Sequence, residues 1–116
     1  MQNDNYIINN DFVIKLHDEF DAELVKSMRD ELEALSELTT NIVVDLNDVR
    51  FIDSSGIGAI VFLYKRMLAK GLNLSVVGLG IQPAELFEML MLDKTINCYE
   101  SIENYLLKTQ AIKTAS

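Results

Sequence analysis

The sequence predicts a single α/β domain built on a mixed, mostly parallel sheet, with an opening β-hairpin and helices packed against it. Three observations carry that prediction. Ile42-Val43-Val44-Asp45-Leu46 and Leu72 to Val77 are short, apolar and rich in branched residues, the pattern of strands covered on both faces. Between and around them, apolar residues recur at helical spacing. The resulting order, ββαβαβαβα with short connections, makes the later strands parallel, because an intervening helix returns the chain by a right-handed crossover.

Taken in order, Tyr6 to Ile8 and Phe12 to Leu16 are β-compatible runs separated by Asn9-Asn10-Asp11, whose side chains tolerate turns and left-handed backbone. They form the opening hairpin. After the acidic stretch Asp18 to Asp21, Leu24, Met28, Leu32 and Leu35 share one face of a helix over Ala22 to Ser36. Strand Ile42 to Leu46 follows, and beyond it a loop from Asn47 to Ser54. The next helix runs from Ser55 to Lys70 with Ile57, Ile60, Val61, Tyr64 and Leu68 inward, and Gly71 ends it as a left-handed cap.

After the strand Leu72 to Val77, Gly78-Leu79-Gly80 reads as a turn. Pro83 suits the first turn of a helix over Ala84 to Leu92, where its missing N–H has no partner to lose. Phe87, Leu90 and Met91 supply that helix's apolar face. Thr95 to Tyr99 is a strand, Ile102 to Thr109 a terminal helix, and residues 110–116 are expected to fray.

At 116 residues and 49% hydrophobic content, the chain suffices for one core and one domain. Its 10 Lys+Arg against 18 Asp+Glu give a net charge of -8, which repels nucleic-acid backbones and anionic membrane surfaces. Neither is an expected direct partner. Cys98 is the single cysteine, which excludes an internal disulfide, and it reads as a small buried hydrophobe. The first residues lack a secretory pattern and no apolar run is long enough to cross a bilayer, so a cytoplasmic location is expected.

Asp53-Ser54-Ser55-Gly56-Ile57-Gly58 is the segment with the most chemical content, because it places two hydroxyls where an apolar strand gives way to a helix. An ordinary explanation is helix capping by a serine or by Asp53. One cap needs one acceptor, however, and the segment offers a run of them followed by two glycines. Each glycine in a helix interior costs about 0.5–1 kcal/mol relative to alanine. Close packing or clear access for a partner would offset that loss. A phosphate on Ser54 would add about -1.5 to -2 charges at a helix N-terminus, which the helix dipole favours. A partner facing Asp21, Asp53 and the acidic stretch would feel the change.

Enzymatic readings find little support. His17 is the single histidine, set at a strand end, and no G-x-S-x-G elbow surrounds either serine. There is no P-loop, and Gly56-Ile57-Gly58 lacks the third glycine of a dinucleotide fingerprint because residue 61 is valine. Asp18, Glu19, Asp21 and Glu23 do not have calcium-loop spacing and read as a solvated acidic loop. No catalytic residue, cofactor or metal site is expected.

The segment Val43-Val44-Asp45-Leu46, then Val49-Arg50-Phe51-Ile52-Asp53-Ser54-Ser55-Gly56-Ile57-Gly58, and the helix through Tyr64-Lys65-Arg66 resemble the signature of STAS domains, specifically of bacterial anti-sigma factor antagonists. The resemblance spans nearly the whole chain. It implies that Ser54 is a phosphoacceptor and that Asp21, Asp53, Ser55, Gly56, Ile57 and Gly58 belong to a partner-binding surface. It also implies partner switching, in which the unphosphorylated antagonist binds an anti-sigma factor, commonly a serine kinase, and frees a sigma factor. The kinase ends that binding by phosphorylation, and a metal-dependent serine phosphatase restores it. ATP and magnesium belong to the kinase. One departure is Asp18, where the family commonly carries glycine. Two alternatives stay open: a non-switching STAS scaffold in a transporter or stress-signalling complex, and an enzyme using the acidic stretch and serines on a small ligand.

Overall fold

A computed structural model describes residues 4–115. Strand β1 (Asp4–Ile8) turns back through Asn9 and Asn10 into β2 (Asp11–Phe20). Both asparagines take left-handed backbone, with φ of 52° and 69°, as a two-residue hairpin turn requires. There follow α1 (Ala22–Ser27), α2 (Arg29–Ser36), β3 (Ile42–Ile52), α3 (Ser54–Ala69), β4 (Leu74–Val77), α4 (Ile81–Met89), a short 3-10 turn (Leu92–Lys94), β5 (Asn97–Tyr99) and α5 (Ile102–Ala115).

The five strands lie in the order β1-β2-β3-β4-β5, with β1 antiparallel to β2 and every later neighbour parallel. This is the expected mixed, mostly parallel sheet. Alternation along the strands divides the core between its faces. Ile14, Val44 and Val76 join a large cluster with Met28, Leu32 and Leu35, with Ile60, Leu63 and Met67 of α3, and with Phe87 of α4. Val13, Val43 and Val77 point the other way, onto Tyr105 of α5. A sheet that grows in one direction through crossovers of one hand collects its crossover helices on one face, and α5, which crosses to no further strand, covers the other.

Several expected boundaries move. The helix over Ala22 to Ser36 is broken at Met28, whose φ of -96° and ψ of 9° end α1 and begin α2. Its apolar face survives, since Met28, Leu32 and Leu35 are buried. On α3 the buried stripe takes Leu63 and Met67 in place of Tyr64 and Leu68. Leu68 is exposed, and the Tyr64 hydroxyl donates to the Thr95 carbonyl. Gly71 does take left-handed backbone (φ 76°) past the end of α3. Leu90 and Met91 are exposed beyond the end of α4, leaving Phe87 as its buried anchor. The backbone of α5 continues past Thr109 to Ala115, and Ser116 lies outside the described residues.

The largest correction concerns the two stretches expected as loops, Asp18 to Asp21 and Asn47 to Ser54. Most of each is strand: β2 runs to Phe20 and β3 to Ile52. Lys15 faces Asp45 but His17 faces Asp48, and Asp18 faces Val49 but Glu19 faces Phe51, so β3 uses one extra residue at each step. These bulges replace simple alternation by burial of Val49 and Ile52 alone in the second half of β3.

Candidate functional site

The register ends with Phe20 beside Ile52, so β2 and β3 finish level with each other. Each is followed by an aspartate and then a helix. Asp21 (φ -117°, ψ -176°) and Asp53 (φ -109°, ψ -174°) have nearly the same extended backbone, and each caps its own helix. The Asp21 Oδ1 accepts from the Leu24 N–H at 3.0 Å. The Asp53 Oδ1 accepts from the Ser55 and Gly56 N–H groups at 2.9 and 3.1 Å. Its second oxygen accepts from the Ala22 N–H of α1 at 3.0 Å. One carboxylate thus ties two helix N-termini together.

This arrangement separates capping from the serine chemistry. Asp53 is the cap of α3, and the Ser54 hydroxyl has no hydrogen-bond partner among the described residues. Ser54 is exposed at the first position of α3, whereas Ser55 is half-buried. The helix end therefore offers its dipole, while the N–H groups of Ser55 and Gly56 already serve Asp53.

The remaining site residues divide by accessibility. Asp21 and Asp53 are half-buried and Gly58 is exposed, whereas Gly56 and Ile57 are buried. A Cβ on Gly56 would lie 2.3 Å from the Phe20 carbonyl oxygen and 2.7 Å from Ile52 Cγ1. Glycine is needed there because α3 starts against the ends of β2 and β3. A Cβ on Gly58 would meet nothing within 4 Å. Of the two explanations for these glycines, packing fits Gly56 and open access fits Gly58.

Sequence reasoning missed Gln82. Its Oε1 accepts from the Ile52 N–H and its Nε2 donates to the Ile52 carbonyl, both at 2.9 Å. The N-terminal turn of α4 thereby fixes the last residue of β3 before Asp53. No local signal reveals such a long-range side-chain clasp. Asp18 gains meaning as well: its φ of 61° is a left-handed conformation in which glycine is free of strain.

His17 is engaged away from the serines. Its Nε2 lies 3.0 Å from Asp4 Oδ2 and its Nδ1 3.4 Å from Asp48 Oδ2, and it makes no hydrogen bond with Ser54 or Ser55. Among the described residues, no group of three or more His, Cys, Asp or Glu side chains is placed to hold a metal, and no helix is long and apolar enough to cross a membrane. Cys98 is half-buried against the main core, where burial, and secondarily Asp93, pushes its thiol up to about 11.

Comparisons with known proteins place this geometry in context. No curated protein sequence matches the chain. Among solved structures, a putative anti-sigma factor antagonist from Thermotoga maritima is similar with a TM-score of 0.86 and 19% identity, over 93% of this chain and 94% of that one. The anti-sigma factor antagonist SpoIIAA in its unphosphorylated form gives 0.76 and 18%, over 94% and 97%. A sulfate transporter family protein from Wolinella succinogenes gives 0.76 and 12%, over 94% and 92%. The fold is therefore shared by proteins with different named roles. The STAS domain family model matches residues 3–105, and with the sheet order and paired strand ends described above, this chain belongs to the STAS domain family.

Proposed function

We propose that the protein is a phosphorylation-controlled anti-sigma factor antagonist whose switch is Ser54. The observation that carries this reading is the exposed Ser54 hydroxyl, unpartnered among the described residues, on a helix end whose capping is already done by Asp53. The unmodified protein binds an anti-sigma factor, a serine kinase, through the surface around Asp21, Asp53, Ser54, Ser55 and Gly58, and so releases a sigma factor. Gly56 and Ile57 support that surface from beneath.

Phosphorylation adds about -1.5 to -2 charges beside Asp53. Because the Ser55 and Gly56 N–H groups already serve Asp53 and Ser54 is exposed, the phosphate faces solvent and whatever docks there, while the caps that hold α1 and α3 remain in place. Repulsion and desolvation at the interface then weaken binding without unfolding the domain. A metal-dependent serine phosphatase reverses the step. The setting is cytoplasmic, and the protein supplies neither catalytic residue nor cofactor.

The test is to incubate the protein with its cognate kinase and ATP, map the modified residue by mass spectrometry, and compare partner affinity before and after. Modification at Ser54 with an affinity loss of about tenfold or more, equivalent to about 1.4 kcal/mol, is the expected result. No modification of Ser54, or equal affinity of both forms, overturns the switch. A non-switching scaffold role, as a subunit of a transporter or stress-signalling complex, predicts partner binding indifferent to Ser54→Ala and to phosphate.

A further inference from the structure

A groove runs between α1–α2 and α3, starting at Ala22 and Ser55 and continuing past Lys26, Arg29 and Arg66. Its charge is opposite to that of the molecule. The whole chain has 18 acidic and 10 basic residues, yet these three cations share the groove with one carboxylate, Glu33. All three are exposed, and none has a salt-bridge partner among the described residues. Lys15 and Lys70, by contrast, are held by Asp48 and by the Ser36 and Leu38 carbonyls.

Helix stability accounts for only part of this arrangement. Lys26 and Arg66 stand in the last turns of α1 and α3, where a cation suits the dipole. Arg29 is the first residue of α2, the end at which a cation is disfavoured. The groove also has an apolar side in Val25, Leu32 and Phe62. The Arg66 guanidinium lies 5.0 Å from the centroid of the Phe62 ring, so the charge is supported on an aromatic face beside the apolar strip.

We propose that this groove docks an acidic, amphipathic segment of a protein partner, with carboxylates on Lys26, Arg29 and Arg66 and an aliphatic or aromatic side chain against Val25 and Phe62. This site goes beyond the Ser54 switch and stands whether or not Ser54 is modified. Charge complementarity selects the occupant. A nucleic acid or an anionic membrane would present extended negative charge to a chain of net charge -8, whereas a short acidic segment meets chiefly the local cations. The apolar strip favours a segment with an apolar anchor over a bare polyanion.

The test titrates the isotopically labelled full chain with a helical peptide in which glutamates and leucines form opposite faces, and with its counterpart carrying lysine for every glutamate. Amide shifts in two-dimensional NMR locate the contact. The expected result is saturable shifts at Val25, Lys26, Arg29, Phe62 and Arg66 with the acidic peptide only, weakening as salt rises. The double variant Arg29→Glu/Arg66→Glu, exposed at both positions, should keep its far-ultraviolet spectrum and lose about tenfold or more in affinity. Absence of groove shifts overturns the proposal, as do equal shifts with the lysine peptide or unchanged affinity of the folded double variant. Tighter occupation of the same residues by a single-stranded oligonucleotide or a phosphatidylserine vesicle would reassign the groove to that ligand. Phosphotransfer to Ser54 is read separately, so either proposal can fail alone.

Discussion

Gly56 and Gly58 stand two residues apart on α3, on opposite sides of the helix, and they answer to different constraints. An alanine at Gly56 drives a methyl into the Phe20 carbonyl and the Ile52 side chain, so β2, β3 or α3 must shift. Overpacking of this kind costs about 1–3 kcal/mol. At Gly58 the methyl enters open space, and the helix gains about 0.5–1 kcal/mol from the better propensity of alanine. Urea unfolding should therefore show Gly56→Ala with a lowered midpoint and Gly58→Ala with a raised one. If the Ser54 surface docks a partner as proposed, Gly58→Ala also weakens that binding despite its greater stability. Sequence alone could pose the choice between packing and access but could not divide it, because the atoms that decide it belong to Phe20 and Ile52. The cap was equally ambiguous: Asp53, Ser54 and Ser55 all carry an acceptor, and the Ala22 N–H that engages Asp53 comes from another helix.

At the scale of the element, β1, the hairpin turn, the central strand and the glycine end of α3 were legible because their signals are local. The ends of β2 and β3 were not. Strand reading relies on a period of two, and the bulges in β3 leave Val49 and Ile52, three residues apart, as the buried positions of that half. Asn47-Asp48 and Arg50-Phe51 consequently resemble loop. Opposite the second bulge, Asp18 holds φ at 61°, within a strand that continues to Phe20 and the Asp21 cap. Aspartate tolerates this conformation better than most residues, and a branched side chain tolerates it poorly. Asp18→Val should lower stability by about 1–2 kcal/mol, whereas Asp18→Gly should show no such loss, relief of strain offsetting the extra freedom of glycine in the unfolded chain. Chemical denaturation of the two variants checks this. Equal destabilisation by both would mean that the Asp18 carboxylate, and not its backbone, matters to the fold.

The whole molecule is a sheet with α1–α4 on one face and α5 alone on the other, a division that element order does not disclose for a final helix with no strand to follow. The attachment of α5 rests on few groups. Tyr105 packs edge-on to Tyr99 with ring centroids 5.2 Å apart, and its hydroxyl donates to Asp11 Oδ2 of β2. Burial and the Asp11 carboxylate push the Tyr105 phenol above the usual tyrosine range, while burial of Cys98 on neighbouring β5 pushes its thiol up to about 11. Both are acids that the folded chain keeps protonated longer than the unfolded chain does. In the unfolded state the thiol ionises near 8.5 and the phenol near 10, so from about pH 8.5 upward the native state holds more protons and stability falls as pH rises. The urea midpoint should be insensitive to these two groups below pH 8 and decline between about pH 9 and 11, Cys98 acting first. Cys98→Ala should remove the early part of the decline, and Tyr105→Phe the later part at the expense of the bond to Asp11. An unchanged profile in Cys98→Ala would show that the thiol is not the group responsible. Loss of the Tyr105 tether should also speed hydrogen exchange in α5 before β3 and α3, since the two faces of the sheet are held by separate clusters. Alkaline loosening would then begin at edge strand β5, where the Cys98 thiol packs against the main cluster, and reach α5 on the other face as Tyr105 ionises.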